Sequence, residues 1–197
     1  MDLVLHALHV KGRATLEALN AAILDDPTDG VGDLEAAGLI ESSRFGYKLT
    51  ELGSRRVDEL YARERERAGP VVHEVYGSFV TINDEFKQLV TDWQLRPVGG
   101  ELIVNDHSDH RYDQALIAKL RRTDARASTA LSPLTSTLAR LGLYPRRLGR
   151  ALARFCGGDH TMLATPLKDS YHTVWFELHE ELIILSGRSR AEEEAAT

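Results

Sequence analysis

The chain has 197 residues, 43% of them hydrophobic and 27% charged, the balance of a globular protein with one large domain or two small ones. Its net charge of −6 excludes a uniformly basic nucleic-acid binder, so any contact with phosphates must come from a segregated basic face. The single cysteine, Cys156, excludes an internal disulfide and suits a reducing cytoplasm.

No apolar run approaches the roughly 18 residues of a membrane span, so no membrane partner is expected. The start, Met1-Asp2-Leu3, lacks the basic-then-apolar order of a secretory signal. A cytoplasmic location is the expectation. Arginine outnumbers lysine by nineteen to five, a compositional habit that says nothing of function.

In chain order, Leu3, Val4, Leu5, Leu8 and Val10 make a short apolar helix that stops near Gly12. Ala14 to Leu24 reads as a second helix, with Leu16, Leu19 and Ile23 on one face. Asp25 to Gly30 is a turn by composition. Val31, Leu34 and Ala37 mark a third helix, ended by Gly38. Leu39 to Ser42 and Tyr47 to Leu49 read as two strands about the turn Ser43-Arg44-Phe45-Gly46, where Gly46 takes positive φ freely. Thr50 is placed to cap a helix from Glu51. The alternating charges Arg63-Glu64-Arg65-Glu66-Arg67 continue that helix, and Gly69-Pro70 breaks it.

The order helix, helix, turn, helix, hairpin, helix, with the phrase LEAAGLI…YKLTELG, resembles the winged helix-turn-helix domain of MarR-type bacterial regulators. The resemblance covers residues 1–68. It implies a dimeric transcriptional regulator that places its third helix in the major groove. The third helix and the turn before it carry Asp25, Asp26, Asp29, Asp33 and Glu35. Between Ile23 and Glu41 stands no Lys, Arg, Asn or Gln, the types that read bases. Residues 1–60 hold six basic against eleven acidic side chains, a balance of −5. The DNA-contacting residues are therefore expected on the wing and its flanks: Arg13, Arg44, Lys48, Arg55 and Arg56.

Residues 69–197 are expected to form an all-α helical bundle that senses a ligand or mediates dimerisation. Val72, Val75, Phe79, Ile82, Phe86, Leu89 and Trp93 form the stripe of one long helix, ended near Pro97. Tyr112 to Ala130 is helical, Ser132-Pro133 starts a further helix and Pro145 another, stopped by Gly157-Gly158. A last helix spans about Asp159 to Ser186 with a break at Pro166, and a charged tail from Arg190 to Thr197 frays.

Two features of this half suggest chemistry. At 100° per residue, His172 and His179 share a helix side and Asp169 lies about 60° away. Asp169, His172 and His179, with His110 and His160 nearby in type, are the candidate ligands of a divalent metal such as zinc. This layout is similar to the helical, metal-holding effector domain of FadR-like regulators. Structural polar networks, caps and turns are the simpler account of the same residues. Trp93, His172, Trp175, Phe176 and His179 are the alternative lining of a small-molecule effector pocket. Second, Leu116 to Phe155 holds nine basic residues against Asp124, which reads as an anion site, a docking face or a solvated surface.

Nucleophilic catalysis has no constellation: Cys156 lacks an orienting partner, and no phosphate loop or nucleophile elbow occurs. A non-enzymatic protein is expected. The phrases TDWQLR, NDHSD, GDH and DSYHTVWFELHEEL also look like a helical module of phosphoenolpyruvate-utilising, dikinase-related proteins. That likeness implies a regulatory or targeting module. Three functions stand open: a DNA-binding regulator, a winged-helix interaction module without DNA, and a metal-dependent helical enzyme.

Overall fold

The computed structural model describes residues 1–166 and 168–188. The expected tail from Arg190 to Thr197 lies outside the described residues. The chain is mainly helical.

The first unit comprises α1 (Asp2–Lys11), α2 (Leu16–Ile23), α3 (Thr28–Ala36), β1 (Ile40–Ser43), β2 (Gly46–Leu49) and α4 (Glu51–Ala68). Thr15 caps α2 by accepting from the Ala18 amide at 3.2 Å. α3 starts earlier than its apolar spacing suggests, because Asp26 accepts from the Thr28 amide at 2.9 Å and its hydroxyl at 2.6 Å, fixing the turn. β1 and β2 pair antiparallel, with Ile40 opposite Leu49 and Ser43 opposite Gly46. Tyr47 also exchanges two backbone hydrogen bonds with Ala14, at 2.8 and 3.0 Å, which ties the hairpin to the segment before α2.

Two glycines allow these close approaches. Gly46 has φ 102, and a Cβ there would lie 2.9 Å from the Thr15 nitrogen and closer to the Ala14 carbonyl. At Gly53 a Cβ would lie 2.9 Å from the Leu39 carbonyl carbon and closer still to its oxygen. The expected Thr50 cap forms: its hydroxyl accepts from the Gly53 amide at 3.1 Å and donates to Gly38 O at 2.7 Å.

The second half begins after Gly69-Pro70. It comprises α5 (Val71–Gln94), β3 (Leu95–Val98), β4 (Glu101–Val104), α6 (His110–Thr137), a 3-10 turn (Ala139–Gly142), α7 (Leu143–Cys156), α8 (Thr161–Ala164) and α9 (Tyr171–Leu185). The stripe from Val72 to Trp93 is buried as expected.

This half is not all-α. β3 and β4 pair antiparallel, with Leu95 opposite Val104 and Val98 opposite Glu101, about Gly99-Gly100 at φ 62 and 93. Two consecutive positive-φ residues build the tight turn that matches strand twist. α5 ends at Gln94, near Pro97 as expected, and Pro97 itself lies in β3. Ser132-Pro133 does not start a helix. Pro133 lies within the last turns of α6, where buried Leu131 and Leu134 hold the segment to the core.

One hydrophobic core runs through both halves, from Leu5, Leu8 and Leu34 in the first to Phe79, Phe155 and Leu182 in the second. α9 lies at its centre and packs against α1, α4, α5, α7 and α8.

Candidate functional site

The outward face of α2 and α3 is acidic. Glu17, Asp25, Asp26, Asp29, Asp33 and Glu35 are all exposed, and no Lys or Arg stands between Leu16 and Ala36. The inward residues of the same helices, Leu19, Ile23, Val31 and Leu34, are buried, so the apolar spacing fixes which side the carboxylates present.

The wing carries the expected cations, yet most meet carboxylates. Lys48 pairs across the hairpin with Glu41 at 2.7 Å. Arg55 pairs with Glu51 at 2.7 Å and Arg56 with Glu59 at 3.3 Å, one helical turn apart. Arg13 instead donates to the Ser43 hydroxyl, and Arg44 lies 4.5 Å over the Phe45 ring. Among the described residues Arg13 and Arg44 form no salt bridge. Phe45, at the wing tip, is 62% exposed.

A second site lies at the seam between the halves. Arg140, on the 3-10 turn, donates from Nε to Glu64 of α4 at 2.6 Å and from Nη1 to Glu181 of α9 at 2.9 Å, and its Nη2 pairs with Glu64 as well. Arg147 of α7 pairs with Asp169 through two nitrogens and with Glu177 at 2.8 Å. Lys11 of α1 donates to Glu177 too. His6 of α1 faces Glu64 at 3.7 Å. Two cations of the basic segment are thus buried links rather than a solvated face.

Burial alone would lower both guanidinium pKa values. Glu181 and Glu64 raise Arg140, and Asp169 and Glu177 raise Arg147, so both stay charged. Burial pushes the Glu181 carboxyl up while Arg140 holds it down. Burial, with the Arg140 charge beside it, lowers His6 to about 3, so this imidazole is neutral.

The remaining sequence candidates divide into separate places. Asp169 precedes α9, whose cap is Ser170, so the 100° spacing that set it beside His172 does not apply; it is taken by Arg147. His172 is exposed, 6.1 Å from the Phe86 ring, and burial on its inner side lowers its pKa. His179 is buried against Phe79 at 5.4 Å. Trp175 stacks on Phe79 and donates to Asn83 at 3.0 Å, whereas Phe176 points outward and is 48% exposed.

Trp93 belongs to another cluster, with Phe155 at 4.8 Å, His107 at 4.4 Å and His160 at 5.3 Å. The five expected pocket residues therefore do not line one cavity. Around Trp93, buried Asp113 accepts from Asn105 at 3.0 Å and from His107 Nδ1 at 3.1 Å, and Asn105 also donates to Trp93 O at 3.2 Å. His107 holds φ 58, a region that costs a non-glycine residue energy and persists only when several contacts fix it. His110 opens α6 and is exposed. Among the described residues no group of three or more His, Cys, Asp or Glu side chains is arranged to hold a metal ion.

The seam was hidden from the sequence, since Glu64 and Arg140 are 76 residues apart and Lys11 and Glu177 are 166 apart. The β3–β4 hairpin was findable: Gly99-Gly100 flanked by Val98 and Leu102-Ile103-Val104 is a hairpin signal. Among the described residues no helix is long and apolar enough to cross a membrane. Comparison with known proteins gave no match to any family model, curated protein or solved structure.

Proposed function

We propose that the first unit is a winged helix used as a protein-docking module, and that the chain is a regulatory interaction protein whose α2–α3 face takes a basic partner surface. The observation that carries this reading is the set of exposed carboxylates Glu17, Asp25, Asp26, Asp29, Asp33 and Glu35 on α2, α3 and the turn between them, with no cation between Leu16 and Ala36. The winged-helix reading is supported by the element order and by the Ala14–Tyr47 bridge, which adds a third short strand position to the hairpin.

Charge decides between protein and DNA. A carboxylate about 8 Å from a phosphate costs about 0.5 kcal/mol in water before screening, and several such pairs would arise if α3 entered a major groove. A basic protein surface turns the same carboxylates into favourable contacts and faster association. The second half would hold the module in place through the Arg140–Glu64 and Lys11–Glu177 pairs.

The second reading is a DNA-binding regulator, favoured by Arg13 and Arg44, the wing cations that form no salt bridge among the described residues. Fluorescence anisotropy at low salt separates the two, with a labelled random duplex and a labelled arginine-rich peptide as probes. The docking reading expects peptide binding that Asp29→Asn/Asp33→Asn/Glu35→Gln weakens, and no duplex binding. Salt-dependent duplex binding lost in Arg13→Ala/Arg44→Ala would establish the regulator instead.

A further inference from the structure

The β3–β4 hairpin has one closed edge and one open edge. Asn105 donates its amide back to Gln94 O at 2.8 Å. Antiparallel ladders alternate, so Ile103 and Glu101 also turn their backbone groups toward β3. Leu102 and Val104 therefore turn theirs outward from β4, and their register partners Pro97 and Leu95 do the same from β3. On β3 the outward groups are already taken or missing. Pro97 has no N–H, the Leu95 amide donates to Thr91 O, and the Tyr112 hydroxyl lies 3.5 Å from Leu95 O. Proline at an outward position blunts a sheet edge. β4 carries no such guard. Among the described residues no backbone group outside the hairpin bonds the amides or carbonyls of Leu102 and Val104.

The side chains on that edge are apolar and wet. Leu102 and Val104 share one face and are 66% and 75% exposed, and Ile103 on the other face is exposed too. A two-stranded hairpin with both faces in water is marginal alone, and one more strand supplies the missing bonds and the apolar cover.

Register says which strand fits. Let β4 meet β4 of a second copy, antiparallel about a two-fold axis at Ile103. Leu102 then lies opposite Val104 of the second copy, both at outward positions, and the two exchange N–H and C=O bonds. Ile103 faces Ile103 of the second copy, and Glu101 faces Asn105, so apolar meets apolar along the run and no like charges are opposed. A slip of one residue sets outward groups against inward ones and leaves the bonds unmade. A slip of two sets Val104 against the turn residue Gly100.

We propose that β4 is a homodimerisation edge, through which two copies of the chain join their hairpins into one continuous antiparallel sheet. The edge belongs to the second half, so the proposal is independent of what the α2–α3 face docks.

The test is sedimentation velocity of the full chain from about 1 to 200 μM, where a micromolar dimer passes from mostly dissociated to mostly formed. A monomer–dimer equilibrium is expected. Leu102→Pro deletes an outward amide without removing a hairpin bond, and Ile103→Lys sets two ammonium groups face to face on the axis. Each should raise the dimer dissociation constant by about tenfold or more while circular dichroism stays that of the wild type. Cysteine trapping checks the register. Ile103→Cys/Cys156→Ser places two thiols across the axis with Cα atoms about 4.5 Å apart, within disulfide reach, and mild oxidation should link the copies. Leu102→Cys/Cys156→Ser, out of register with itself, should link poorly. A monomer at every concentration, a dimer equally stable in both edge variants, or linkage through Leu102→Cys in place of Ile103→Cys would each overturn the proposal.

Discussion

Arg140→Met removes the guanidinium that joins α4 to α9 and keeps most of the aliphatic stem. In the wild type this side chain is 12% exposed and holds Glu64 and Glu181 together, the latter carboxylate only 1% exposed. The variant leaves two buried carboxylates facing each other with no cation. Breaking a buried ion pair by removing one partner costs about 3–5 kcal/mol. With a urea m-value of about 2 kcal/mol/M, the midpoint falls by about 1.5–2.5 M.

The pH dependence of that deficit follows from two groups. Glu181 is already raised by burial against the restraint of Arg140. Losing Arg140 raises it further, so the folded variant binds a proton more tightly than the unfolded chain does, and this stability, present at low pH, is lost as pH rises through the folded value. His6 is lowered partly by Arg140, so the variant also tolerates acid better at that position. Both effects shrink the deficit between pH 7 and pH 5. Urea titrations at the two pH values, followed by circular dichroism and tryptophan fluorescence, measure it. Arg140→Met/Glu64→Leu/Glu181→Leu should recover most of the loss, because apolar replacement of a whole buried network is close to neutral. A deficit below about 1 kcal/mol, or one equal at both pH values, would show that Arg140 does not hold the two carboxylates together.

His6 should dominate acid sensitivity near the seam. With a folded value of about 3 against 6.5 unfolded, its neutral form is fully compatible with the fold above pH 6.5, and stability is lost as pH falls below that. By pH 5 the loss is about 2 kcal/mol, and His6→Gln should remove it from the difference between pH 7 and pH 5 urea curves. Gly53→Ala should cost about 2–3 kcal/mol by driving α4 off the Leu39 carbonyl. Gly77→Ala, an exposed α5 position with open space around it, should gain about 0.5–1 kcal/mol, and equal effects from the two substitutions in thermal melts would contradict the packing of α4 on the hairpin.

Local structure was the legible part of the sequence. Thr50, Gly46 and the Val72–Trp93 stripe each announce themselves by a cap, turn or periodicity signal within a short stretch of sequence, and each stands where the spacing puts it. One local signal was outweighed by its neighbours: Pro133 reads as a helix start, while buried Leu131 and Leu134 keep it inside α6.

The seam was illegible for a different reason. Arg140 and Arg147 have the same chemistry in sequence as the exposed arginines around them, and only tertiary packing brings Glu64, Glu177 and Glu181 to meet them. Helical geometry also misled at Asp169, which lies one residue before the Ser170 cap and so shares no face with His172. The acidic character of α3 was readable at once, because it needs only the identity of Asp29, Asp33 and Glu35 and the apolar residues that turn them outward.

Charge rather than shape is proposed to keep α3 from duplex DNA. Asp29→Lys/Asp33→Lys/Glu35→Lys tests it most directly, by anisotropy with a labelled random duplex at about 50 mM salt, where non-specific phosphate contacts are strong. No binding by the wild type and salt-dependent binding by the variant are expected, with a log–log slope near −3 if each new lysine meets about one phosphate. Duplex binding by the wild type that Arg13→Ala/Arg44→Ala abolishes would contradict it.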